Sequence, residues 1–152
     1  MASSYHVFEA AAQIEEACAL MYREAARRFA ADPGARDLFR KLEQEEEQHA
    51  LRVRLLAARY RTDPRSFDAA VLPKLSELEL LAESARRELA ALSAGAWPAE
   101  LAEVKIRFAE LERLFVGMHS QFLVPGADPH VAAFFSQLAE QDREHDRLLE
   151  QG

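Results

Sequence analysis

Five stretches of this chain repeat apolar residues at alternating spacings of three and four, and four of them interrupt the repeat at mid-length with an acid. The first reads Phe8, Ala11, Glu15, Cys18, Tyr22, Ala25, Phe29, and the second Phe39, Leu42, Glu46, His49, Val53, Leu56, Tyr60. Later come Leu101, Lys105, Phe108, Glu112, Phe115, His119, Phe122 and then Val131, Phe135, Leu138, Asp142, His145, Leu149. Such spacing belongs to helices packed at shallow angles along one face. The acids therefore occupy positions that the pattern reserves for a core. Glu46 with His49, and Asp142 with His145 96 residues later, share an acid-x-x-His spacing. It sets a carboxylate and an imidazole on one helix face, within reach of one metal ion.

An all-α fold follows, since Gly and Pro are few (five and six) and no alternating β-branched runs propose a sheet. Turn signals at Asp32-Pro33-Gly34, Thr62-Asp63-Pro64, Leu72-Pro73, Gly95-Ala96-Trp97-Pro98 and Pro125-Gly126-Ala127-Asp128-Pro129 predict helices near 5–31, 35–60, 73–93, 98–123 and 129–150. Asp128 and Pro129 suit an N-cap and first helical position, and Gly95 a helix stop. The 152 residues, 49% hydrophobic, fit one domain, 1–152.

The helix near 73–93 has a stripe of its own, Leu75, Leu78, Ala82, Ala85, Leu89 and Leu92, with no acid or histidine. Roughly 20 helical residues span about 30 Å, the length of a crossover between two antiparallel hairpins. Those hairpins look like copies of one unit. Glu15 maps to Glu112 at an offset of 97, and Phe39, Leu42, Glu46 and His49 map to Phe135, Leu138, Asp142 and His145 at 96. The expected architecture is a four-helix bundle with one acid from each long helix at a common level.

A formal charge of −7 opposes binding to nucleic acid or anionic lipid, despite local runs such as Arg52-Val53-Arg54. The apolar runs are too short for a membrane span, and the N-terminal residues do not form a signal peptide, so a cytoplasmic location is expected. A single cysteine, Cys18, rules out an internal disulfide or a four-cysteine metal centre within the chain.

Four carboxylates in a dry core must be neutralised. Two divalent cations balance Glu15, Glu46, Glu112 and Asp142 and leave neutral His49 and His145 as one nitrogen ligand per ion. Mixed carboxylate and imidazole ligation favours iron, with manganese the alternative at one or both positions. Glu46 and Asp142 are expected to bridge the ions, with Glu15 and Glu112 as terminal ligands.

The set Glu15, Glu46-x-x-His49, Glu112, Asp142-x-x-His145 resembles the ferritin-like superfamily, and Phe39-Arg40-Lys41-Leu42-Glu43-Gln44-Glu45-Glu46-Glu47-Gln48-His49-Ala50 resembles rubrerythrins in particular. The resemblance implies a ferritin-like four-helix bundle holding two Fe ions that react with dioxygen or hydrogen peroxide, in a homodimer or larger homo-oligomer. Three departures stand out. Asp142 replaces the family's usual Glu and is one methylene shorter. Phe115 follows Glu112 where rubrerythrins carry a second Glu that moves with the iron's oxidation state, which disfavours peroxidase cycling. No four-cysteine rubredoxin domain can be built, so repeated turnover would need a separate electron donor. Oxidation of Fe(II) is the narrower activity compatible with these departures, and iron storage would require a cage.

Other polar residues have plainer readings. Glu43, Glu45 and Glu47 are expected on a solvated face with local salt bridges. Glu112 is preferred to Glu110 because it keeps Phe108 and Phe115 on its stripe. His6 and His130 are expected to be ordinary histidines. His119, at the repeat position of Tyr22, is either a hydrogen-bonded core histidine or, like Tyr22, a donor to a ligand carboxylate. Tyr22 is otherwise a buried aromatic or a local electron source, and Cys18 a core residue. The competing function is a non-catalytic helical assembly module with a structural or vestigial metal site, in which the Leu75–Leu92 stripe would be an oligomer interface.

Overall fold

The computed structural model describes residues 3–62, 73–123 and 129–151, which form five packed helices: α1 (Ser3–Arg28), α2 (Pro33–Thr62), α3 (Leu75–Ser93), α4 (Leu101–Ser120) and α5 (Pro129–Glu150). No strand occurs among the described residues. The expected Asp128 cap and the breakers at 63–64, 72 and 125–128 lie outside them.

Helix ends differ from the sequence expectation for local reasons. Helix α2 starts at Pro33 because Asp32 caps it, its Oδ1 accepting from the Ala35 N–H at 3.2 Å. A first-turn proline needs no N–H partner. Helix α1 stops at Arg28 and α4 at Ser120, each three residues early, and Trp97–Glu100 stays outside α4. Helix α3 closes on Gly95, whose φ of 78° lets its N–H reach Leu92 O at 3.1 Å and the Ala96 N–H reach Ala91 O at 2.9 Å.

Cross-helix pairs fix the directions. Arg23 pairs with Glu43 and Glu47, whereas Arg54 pairs with Glu9 and Glu16, so α1 and α2 run antiparallel. Helices α4 and α5 do likewise, with Arg113 against Glu150 and Phe122 stacked on Phe135 at 3.7 Å. These exposed ion pairs add little stability beside the apolar faces they border. Helix α3 lies on α1, and Leu78, Ala82, Ala85 and Leu92 are buried. Most of the α3 stripe is thus packed inside the chain.

Aromatic rings fill the core in two groups. Phe8, Phe122 and Phe135 stack toward one end, and Tyr22, Phe39, Phe108 and Trp97 toward the other. Phe8 and Tyr22 lie seven residues before and after Glu15, so the buried acids sit between two dry layers.

A methyl group at Gly95 would meet no atom within 4 Å, so Gly95→Ala isolates the backbone cost. It should lower the unfolding free energy by about 1 kcal/mol in urea melts, with Gly95→Asn recovering part of the loss.

Candidate metal centre

Seven polar or charged residues are buried among the described residues: Glu15, Glu46, His49, Glu112, His119, Asp142 and His145. They comprise the six expected ligands together with His119. Each is at most 2% exposed. Helical geometry delivers them, since each acid-x-x-His pair shares one helix face and the neighbouring seam residues turn that face inward.

Their ligand atoms fall into two overlapping groups, each with all its atoms within 4.8 Å of one another. Glu15, Glu46 and His49 form one, and Glu46, Glu112, Asp142 and His145 the other. Glu46 is common to both. Asp142 belongs to one only, and its Oδ2 lies 2.5 Å from His119 Nδ1. Glu46 therefore faces both groups, whereas the shorter Asp142 side chain lies against His119. The His49 and His145 rings stack at 5.7 Å and 13°.

The surrounding contacts follow the internal repeat. Tyr22, seven residues after Glu15, donates its hydroxyl proton across the core to Glu112 Oε1 at 2.5 Å. His119, seven residues after Glu112, reaches back to Glu15 Oε1 at 2.5 Å. His119 thus ties two expected ligands from different helices. One contact was not anticipated: Glu45 accepts from His145 Nε2 at 2.5 Å instead of joining a surface ion pair. That bond leaves Nδ1 of His145 facing Glu46 Oε1 at 3.1 Å and Glu112 Oε1 at 3.3 Å. A carboxylate on the outer nitrogen of a histidine fixes its tautomer for metal binding. Glu43 and Glu47 do pair with Arg23, as expected of a solvated face.

A cleft of about 180 Å³ between α2 and α5 is lined by Glu45, Gln48, His49, Arg52, Gln141, Glu144 and His145. It borders the imidazole side of the cluster, while aromatic rings cover the Tyr22 side.

The protonation pattern is that of acids and bases crowded into one dry space. Burial would raise Glu15, but the His119 charge, with Glu46, His119 and His49 facing its oxygens, takes it well below its ordinary range. Burial and the Glu15 charge hold Glu46 well above. Asp142 is pushed up to about 6 by burial, against the pull of His119. Burial lowers each imidazole, yet the facing carboxylates prevail: His49 is pushed up to about 11, His119 to about 10 and His145 to about 12. Burial, then the four acids, raise the Cys18 thiol, which stays protonated as a core residue.

A pair of divalent cations fits this donor set. Glu15 Oε2, Glu46 Oε2, Glu112 Oε2 and Asp142 Oδ1 are buried carboxylate oxygens without a hydrogen-bond partner, while Glu46 Oε1 and Asp142 Oδ2 face imidazole nitrogens of His145 and His119. Unpaired buried acceptors of this kind are costly unless a cation or proton serves them. Comparison with known protein families, curated proteins and solved structures finds no match to this chain.

An unfolded histidine loses its proton near 6.5. The three folded imidazoles keep theirs to about 10–12, so their stabilisation is complete below 6.5 and fades as pH rises through the folded values. The metal-free protein should therefore show a urea midpoint that falls from about pH 6.5 toward 10. His49→Gln should flatten that slope, and a midpoint that rises with pH would contradict the assignment.

Proposed function

We infer that the chain is a ferritin-like di-iron carboxylate protein. In this reading the α1–α2 and α4–α5 hairpins form a four-helix bundle with α3 as its crossover, and the bundle core binds two metal ions. Bound iron would supply the chemistry of a ferroxidase or peroxidase-type oxidation by dioxygen or hydrogen peroxide. The observation that carries the reading is the pair of overlapping ligand groups sharing Glu46.

Glu15, Glu46 and His49 would hold one ion, and Glu46, Glu112, Asp142 and His145 the other. Carboxylate and imidazole donors suit iron, with manganese as an alternative. When bound, an iron pair supplies the one-electron changes by which a small oxidant is reduced. The protein's part is to position and to exclude water. His119 orients Glu15 and Asp142, Tyr22 orients Glu112, and Glu45 orients His145. The α2–α5 cleft is a route for Fe(II) and oxidant, with the acids Glu45 and Glu144 on its wall. Phe115 is buried one turn after Glu112, so α4 offers a single carboxylate to the cluster. A fixed ligand set of this kind fits iron oxidation better than peroxidase cycling.

Purification without chelators, followed by anaerobic iron titration, tests the reading. Wild type should bind two ions per chain and develop an oxidation-dependent absorption change on exposure to oxygen or peroxide. His49→Ala should retain about one ion and Glu46→Ala neither, with helicity checked by circular dichroism. Metal-free native protein, and iron binding unaltered in both variants, would contradict it.

A further inference from the structure

Fe(II) and a small oxidant account for the acids of the α2–α5 cleft but not for its arginine, since a guanidinium repels an entering cation. Gln48, His49 and Arg52 share one face of α2 and line the cleft together with Gln141, Glu144 and His145 of α5. Both acids of the lining are already engaged. Glu45 accepts from His145 Nε2 at 2.5 Å, and Glu144 pairs with Arg147 at 3.1 Å. Arg54, Arg143 and Arg147 on the same two helices each hold an acid, whereas Arg52 pairs with none among the described residues. Gln141 has the complementary need, because its Oε1 is buried without a hydrogen-bond partner. An exposed arginine alone is solvated at little cost, but a buried acceptor that no donor serves is costly. The cleft thus offers an uncommitted positive charge on α2 and an acceptor on α5 that lacks a donor.

We propose that the α2–α5 cleft binds a small hydroxy acid, with its carboxylate on Arg52 and its hydroxyl donating to Gln141 Oε1. A carboxylate is planar and matches the guanidinium fork, which directs two N–H donors at two oxygens. Size limits the class further. The cleft holds about 180 Å³, and a cavity of about 150 Å³ takes a molecule the size of benzene, so acids of about three to six carbons fit. A long-chain acid or a nucleotide is too large. A carboxylate without a hydroxyl leaves Gln141 unserved, and a neutral alcohol leaves Arg52 so. The bound acid lies beside the imidazoles of His49 and His145, whose rings stack at 5.7 Å. The subsite rests on the cleft alone; that it brings an organic molecule to a metal pair rests on the metal-centre reading.

Titration of lactate into the full chain without metal, followed by NMR of backbone and side-chain N–H signals, tests the subsite. Lactate should shift the signals of Gln48, Arg52 and Gln141 saturably. Propionate, which lacks the hydroxyl, and lactamide, which lacks the charge, should each bind severalfold more weakly. Arg52→Gln should weaken lactate about tenfold or more, the effect of losing a charged hydrogen-bonded partner. Arg52 is exposed, so this variant keeps the fold, with helicity as the check. Gln141→Leu should lower lactate to the affinity of propionate and leave propionate unchanged. No saturable shift at the cleft, equal binding of the three probes, or lactate binding unchanged in Arg52→Gln would overturn the proposal. Lactate held at the cleft by a chain that takes up no iron would leave the subsite standing and sink the metal-centre reading. Iron bound as expected without lactate binding would do the reverse.

Discussion

A carboxylate carried into a dry helical core loses its hydration and must be compensated by a cation, a hydrogen bond or a proton. This chain carries in four, on four different helices, and surrounds them with three buried imidazoles. The rest of the structure is arranged around that constraint. Without metal, the facing carboxylates raise the imidazoles, and burial beside the Glu15 charge moves Glu46 toward its neutral form, so part of the cluster's charge is offset from within. Cations that replace those protons would be bound by groups already converged and already dehydrated, which is why folding and metal binding should be coupled through protons.

The two hairpins answer this constraint symmetrically, up to a point. Tyr22 and His119 stand at equivalent places and each reaches across to an acid of the other hairpin. The symmetry breaks at Asp142, which stands where the first hairpin has the longer Glu46. Its Oδ2 sits against His119, and it joins one ligand group, while its counterpart Glu46 joins both.

Much of this was legible because buried acids disturb a three-four repeat. Glu15, Glu46, Glu112 and Asp142 each stand where an apolar residue belongs, so the cluster could be named before any coordinates, and Glu112 could be separated from Glu110 by its flanking phenylalanines. Helix ends were less legible. Pro33 reads as a breaker in isolation and acts as a first-turn residue once Asp32 caps it. Glu45 was not legible at all, because it lies beside the seam and its partner His145 is 100 residues away on another helix.

The central claim is that one carboxylate, Glu46, is shared by two metal positions in the core. Anomalous diffraction from crystals grown with iron or manganese tests it most directly. Two anomalous peaks are expected, one beside Glu15 and His49 and the other beside Glu112, Asp142 and His145, with Glu46 in contact with both. No peak among the buried acids, or metal found only on the exposed acidic faces, would contradict it.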